Sequence, residues 1–506
     1  MLPRNSGILL HPTSLPGRFG IGDLGDNAYG FADFLAGARQ HLWQMLPLGP
    51  TGYGNSPYQC LSAFAGNPTI ISLDGLVADG LLDPASLANL PEFSRTAVDF
   101  DAVAWFKTPV LRKSFDFFVQ QSDPELHRQF ASFCEQNAFW LEDFSLFMAL
   151  KEAHSLTSWN TWDDEIRRRE PSSVARWKAR LEREVRFHQY EQFIFFKQWS
   201  QLRKYCAERG IRLIGDIPIF VALDSAEVWA HPEIFFLDDA GRPTVVAGVP
   251  PDYFSKTGQL WGNPLYRWDI MAEDGYRWWI DRFRATRAFV DIIRLDHFRG
   301  FEKYWEIPAK DETAINGRWV DGPGEDFFDA VMKSLGELSI IAEDLGVITP
   351  EVVRLRDRWD FPGMRVLQFA FLSGSADDWH LPHNYPRNCV VYTGTHDNNT
   401  TIGWFHGDDA GSTTLSNEAR EQEKRRALKY LATSGAEVNW DMIRLAWASV
   451  ANTAIVPLQD VLGLGSEARM NTPGTKSGNW KWRFTADLLT DDIKARLSEL
   501  TELYGR

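Results

Sequence analysis

Residues 292–301 read Ile-Ile-Arg-Leu-Asp-His-Phe-Arg-Gly-Phe. A run apolar enough for a buried strand ends in a guanidinium, a carboxylate and an imidazole, with no turn residue before them. Side chains alternate along a strand, so Arg294 and Asp296 point the same way. A guanidinium beside a carboxylate favours its ionised form, as a nucleophile or a stabiliser of positive charge requires. Other apolar runs end similarly. Glu343 and Asp344 close "SIIAEDLG" (339–346), and His396 and Asp397 close "NCVVYTGTHD" (388–397). Asp216 lies inside "IRLIGDIPIFV" (211–221), away from any capping position. Two carboxylates whose surroundings push their pKa values apart are what glycosidic bond chemistry needs.

Plainer readings exist for each acid alone. An acid after a strand often caps the next helix, Asp397-Asn-Asn-Thr could be a turn, and Arg294 with Asp296 could be a structural ion pair. Histidines beside acids also suit a metal. The first apolar run offers only His11, without a second histidine two residues on, so no metal is expected.

Eight apolar runs could carry these groups: 7–15, 41–49, 211–221, 288–298, 303–308, 339–346, 364–371 and 388–397. Helical patterns lie between them. Asp26–Gln40 has apolar residues at 3–4 spacing, and residues 183–210 put Val185, Tyr190, Phe193, Phe196 and Trp199 on one broad face. Pro350 suits a first helical turn. Eight runs mostly followed by helices predict parallel βαβ units, closed most economically as a (β/α)8 barrel; an open doubly wound sheet is the alternative. In a barrel the C-terminal strand ends form the active-site face. Residues 75–180 are expected as a helical insertion after the second strand and 225–285 as an insertion after the third, with a small one at 309–330, all on one decorated domain.

Composition narrows the partners. The 506 residues carry a formal charge of −15, which argues against nucleic acid and anionic membranes. Four cysteines, with no CxxC pair, predict a reduced cytoplasmic protein, and no apolar stretch is long enough for a membrane span. The 21 Trp and 34 Phe fit either a large core or rings lining a cleft. Segments 49–68, 249–268 and 466–484 mix glycine, amides and aromatics, which suits the apolar faces and polar edges of sugars.

Taken together, "SPYQ", "GDIPIFVALDSAEVWAHPEIF", "PPDYFSKTGQLWGNPLY", "RLDHFRGF", "AEDLG", "THDNNTTIGW" and "NTPGTKSGNWKWR" resemble the 4-α-glucanotransferases, or amylomaltases, of the α-amylase superfamily along nearly the whole chain. The resemblance implies a (β/α)8 TIM barrel with inserted, mainly helical subdomains and no separate C-terminal β-domain. It implies disproportionation of α-1,4-glucans, maltooligosaccharides and glucose, with no metal or organic cofactor; nothing points to an obligate protein partner. It makes Asp296 the nucleophile, Glu343 the general acid/base and Asp397 the acid that grips the sugar, with Arg294, His396 and Asp216 around the same subsite. Tyr58, Asp252, Trp261 and Asn471 fall in loops that resemble glucan-contacting ones. An α-amylase-like hydrolase and a catalytically silent glucan-binding protein are the alternatives.

Overall fold

The computed structural model describes residues 3–120, 123–251, 255–407, 416–475 and 477–506. The strands are, in chain order, β1 (Asn5–Leu9), β2 (Leu42–Gln44), β3 (Arg212–Ile217), β4 (Val245–Val249), β5 (Gln259–Pro264) and β6 (Ile292–Leu295), then β7 (Lys303–Pro308), β8 (Arg318–Asp321), β9 (Ile340–Ala342), β10 (Gly363–Val366), β11 (Cys389–Tyr392) and β12 (Thr453–Pro457). β1, β2, β3, β6, β9, β10, β11 and β12 close into a barrel in that order. Every pairing in it is parallel. Helices cover the outside, including Asp26–Gly37, Glu182–Glu208, Arg277–Phe289, Gly324–Leu335, Pro350–Arg358 and Val438–Ala448. The barrel strands are buried nearly throughout, because side chains fill the interior and helices cover the other face.

One expected barrel strand is not one. Lys303–Pro308 pairs antiparallel with β4 and β8, in a separate sheet of order β5-β4-β7-β8. Lys303, Trp305 and Pro308 are half-buried while Tyr304, Glu306 and Ile307 are buried, so one face of the strand is more open than the other. The eighth barrel strand is Thr453–Pro457, all five residues buried, which the sequence reading passed over. It is short and contains Thr and Pro, so its apolar signal is weak. The small sheet joins β4 and β5, from residues 225–285, to β7 and β8, from beyond β6. The β2–β3 connection carries the helices Phe100–Gln120, Pro124–Gln136, Ala138–Ala153 and Pro171–Arg180. Beyond β12 the described residues contain no further strand.

Much of the aromatic surplus belongs to the core. Trp43, Trp159, Trp199, Trp229, Trp279 and Trp447 are all fully buried. Among the described residues no helix is long and apolar enough to cross a membrane.

Candidate active site

The acids of the sequence reading do not cap the helices that follow them. Thr400 caps Thr401–His406 through its side chain, Thr349 precedes Pro350–Arg358, and His297 precedes the 3-10 turn Phe298–Phe301. Asp296, Glu343 and Asp397 are free of that task and stand beyond the C-terminal ends of β6, β9 and β11.

Register brings the first group together. Asp216 on β3 is the parallel partner of Arg294 on β6. Both side chains enter the barrel, where Arg294 Nη1 donates to Asp216 Oδ1 at 2.7 Å and Oδ2 at 2.5 Å. The same nitrogen donates to Asp296 Oδ1 at 2.9 Å. Tyr58, from the loop after β2, donates its hydroxyl to Asp216 Oδ2 at 2.7 Å. Asp216 is wholly buried, whereas the Asp296 side chain keeps 27 % of its exposure and opens toward the mouth.

This arrangement changes the electrostatic expectation for Asp296. Arg294 does not serve it alone; one guanidinium is divided between two carboxylates. Burial pushes Asp296 well above the usual carboxylate range, Asp216, Glu343 and Asp397 push the same way, and Arg294 opposes them. Burial also raises Glu343, against Arg294 and two backbone N–H groups. Asp296 and Glu343 therefore titrate as a linked pair that holds protons more readily than isolated carboxylates.

Glu343 follows β9 directly. Its Oε2 accepts the His297 N–H at 2.7 Å, and Oε1 accepts the Leu345 N–H at 2.8 Å. Its neighbour Asp344 has a different task. Asp344 pairs with Arg356 at 2.5 Å, lies 3.7 Å from Arg365 and accepts the Met364 N–H, all deep inside. The alternation at this strand end sends one acid to the cleft and the other to the barrel wall.

The third group forms after β11. Asp397 Oδ1 accepts from Asn471 Nδ2 at 2.6 Å and lies 3.4 Å from His396 Nε2. Asn471 thus reaches the acid itself rather than standing apart on a loop. The His396 ring is buried, which lowers its pKa and keeps it neutral, and it stacks on Tyr58 at 5.1 Å and 18°. A continuous series of contacts then runs from Asp397 through His396, Tyr58, Asp216 and Arg294 to Asp296. Trp261 lies on β5 and meets His297 edge to face at 4.9 Å. Asp252 lies outside the described residues.

Two neighbours were missed. Trp480 lies 5.9 Å from both the Tyr58 and the His396 ring, and the aromatic-rich segment 466–484 already pointed toward it. His11, weighed only as a metal ligand, lines a cavity of about 20 Å³ together with His396 and Ser14. His11 Nδ1 and Ser14 Oγ are buried there without a partner among the described residues, and the space suits one water. Among the described residues, no group of three or more His, Cys, Asp or Glu side chains is placed to hold a metal ion.

Comparisons with known proteins agree along the whole chain. The family described as 4-alpha-glucanotransferase matches residues 10–490. A 4-alpha-glucanotransferase of Synechocystis is 52 % identical over 507 residues, spanning 99 % of this chain and 98 % of that protein. One from Thermus thermophilus is 51 % identical over 513 residues, with 100 % and 99 % covered. The amylomaltase from Streptococcus agalactiae in complex with acarbose superposes with a TM-score of 0.94 at 39 % identity, covering 99 % of each chain. The chain therefore belongs to the 4-alpha-glucanotransferase family.

Proposed function

We propose that the protein moves α-1,4-glucan segments from a donor to the 4-hydroxyl of an acceptor glucan or of glucose, by a retaining double displacement. Asp296 attacks the anomeric carbon as the glycosidic C–O bond breaks, and Glu343 gives its proton to the departing oxygen. The product is a β-linked glycosyl ester on Asp296. Glu343, now ionised, takes the proton of the acceptor hydroxyl as that oxygen attacks, and the ester bond breaks. Two inversions preserve the α configuration. An acceptor on the same chain closes a cycloglucan.

Asp397, fixed by Asn471, holds sugar hydroxyls by bonds that strengthen as positive charge builds on the ring. Arg294 and Asp216 orient Asp296; Tyr58, His396 and Trp261 offer ring faces to the glucan. Asp252, placed outside the described residues, is part of this reading by its sequence context alone. The observation that carries the proposal is the unbroken contact series joining Asp397 to Asp296, which puts acids more than a hundred residues apart around one site. A cytoplasmic location fits the four cysteines, all of which are free thiols.

Incubation with maltotriose tests the assignment. Transfer yields glucose and longer chains with the number of reducing ends unchanged. A steady rise in reducing ends would replace transfer by hydrolysis, and no product at all would leave a glucan-binding protein.

A further inference from the structure

The residue after Asp296 has an unusual backbone for its type. His297 lies in the left-handed region, at φ 51° and ψ 49°. A side chain with a Cβ pays on the order of 1 kcal/mol or more to stay there, and such strain gathers at functional positions. Here it turns the His297 N–H onto Glu343 Oε2. With the Leu345 N–H on Oε1, both carboxyl oxygens are held by main-chain donors. The Glu343 carbonyl in turn accepts the Phe298 N–H at 3.0 Å, and its own N–H binds the Leu295 carbonyl at 3.1 Å.

The imidazole is packed rather than polar. It is 9 % exposed, and its Nε2 has no partner among the described residues. Burial drives its pKa down to about 3, so the ring is neutral. One side meets Trp261 at 86° between ring planes. Another meets Gly300, where a Cβ would stand 3.0 Å from the imidazole Cδ2. The ring is thus a wedge between Trp261 and the Gly300 backbone.

We propose that His297 is a positioning residue for Glu343: its wedged ring holds the left-handed backbone that aims a main-chain N–H at the carboxyl. The inference rests on the reading of Glu343 as the general acid/base. Two N–H donors favour the ionised carboxyl, so they keep Glu343 oriented as the base for the incoming acceptor and resist its reprotonation. The charged groups facing Glu343 are Arg294 and Asp296 at the end of β6 and Asp344 beside it in the chain. Arg294 works with the two N–H groups, and the two aspartates work against them.

Two substitutions separate this from simple packing. Asparagine enters the left-handed region more readily than most residues, and valine resists it. His297→Val should lower kcat for maltotriose transfer about tenfold and move the alkaline limb of kcat/KM up by about one pH unit, with KM changed less than about twofold. His297→Asn should leave that limb in place. With an α-glucosyl fluoride donor, whose leaving group needs no proton, the glycosylation rate of His297→Val should match the parent's, while transfer to an acceptor sugar keeps the loss of about tenfold. A wild-type alkaline limb in His297→Val, or a glycosylation rate from the fluoride that falls as far as transfer does, overturns the proposal. If His297→Val does not fold, His297→Gly removes the wedge but keeps the N–H; its limb should move the same way by a smaller step, and an unmoved limb overturns the proposal. Glu343→Gln run alongside isolates the underlying reading. Retained transfer from maltotriose in that variant would remove Glu343 as the acid, whatever His297 does.

Discussion

The two ends of the barrel each bury an arginine and treat it in opposite ways. At the mouth, Arg294 is held by the carboxylates of Asp216 and Asp296. At the floor, Arg506 is held by carbonyl groups. Its Nε donates to Trp447, its Nη1 to Asn5 and Asn452, and its Nη2 to Ala446, Ser449 and Ala451, at 2.8–3.3 Å. Arg4 adds further bonds to Trp447, Ser449 and Ala451. Carbonyl dipoles satisfy the donors without cancelling the charge, and burial followed by the charge of Arg4 lowers the Arg506 pKa to about 9. The floor uses an arginine as a many-pronged staple for strand and helix ends. The mouth gathers acids that repel one another and must lose water, an arrangement that spends stability on chemistry. Barrels divide their ends in this way, with reaction at the C-terminal face and stability at the other.

Removing the carboxylate at the mouth should have the largest effect on activity and little on folding. Asp296→Asn should lower turnover by on the order of 10⁴, with a melting temperature no lower than that of the parent. Near-parental turnover in a folded Asp296→Asn protein would take the nucleophile away from this position. The floor should show the reverse. Arg506→Ala should cost about 2–4 kcal/mol in denaturant unfolding, since several buried carbonyls lose their donors, while kcat/KM at a temperature below the transition stays within about twofold. A fall in kcat/KM at unchanged stability would erase the contrast between the two ends.

A smaller effect sharpens what the rim contributes. Trp261→Ala should raise KM for maltooligosaccharides several-fold, as loss of one ring-stacking surface allows, or increase the hydrolysed fraction of product. If both stay unchanged, Trp261 serves only as packing for His297. The smallest effect concerns a third buried cation, on the helix Glu182–Glu208. Burial works against a charged His188, but Glu152 and Glu191 override it and lift its pKa to about 9. A group raised on folding stabilises fully below its unfolded pKa of about 6.5 and loses that contribution as pH climbs through its folded value. The wild-type melting temperature should therefore fall between about pH 7 and pH 10, and the fall should shrink in His188→Gln. An equal fall in both proteins would assign alkaline sensitivity elsewhere.

The legibility of the molecule follows the same division. Arg294 and Asp296 could be read as one group because strand alternation and buried apolar runs are local properties, written over five or six residues; Asp216 joined them in the sequence only through the family resemblance, and in space through the register of β3 on β6. Asp344 could not be told from Glu343 by that means, since both close the same run and only their partners, Arg356 and Arg365 against the His297 and Leu345 amides, separate them. KYWEIP read as a barrel strand because its composition is strand-like, yet its more open face depends on which sheet it joins. TAIVP was passed over because five buried residues ending in proline carry too little periodic signal. Asn471 was visible as an amide in a glycine-rich loop, but not as the residue that grips Asp397.

By itself the sequence determined the family, the alternation of strands and helices, and the acids at strand ends, because residue type and short-range spacing carry those directly. Only the tertiary structure decided that Arg294 is shared, that His297 is bent onto Glu343 and that Tyr58 bridges two strand ends. Each of those depends on contacts between residues far apart in the chain, and a carboxylate's charge state is set by whatever surrounds it in space.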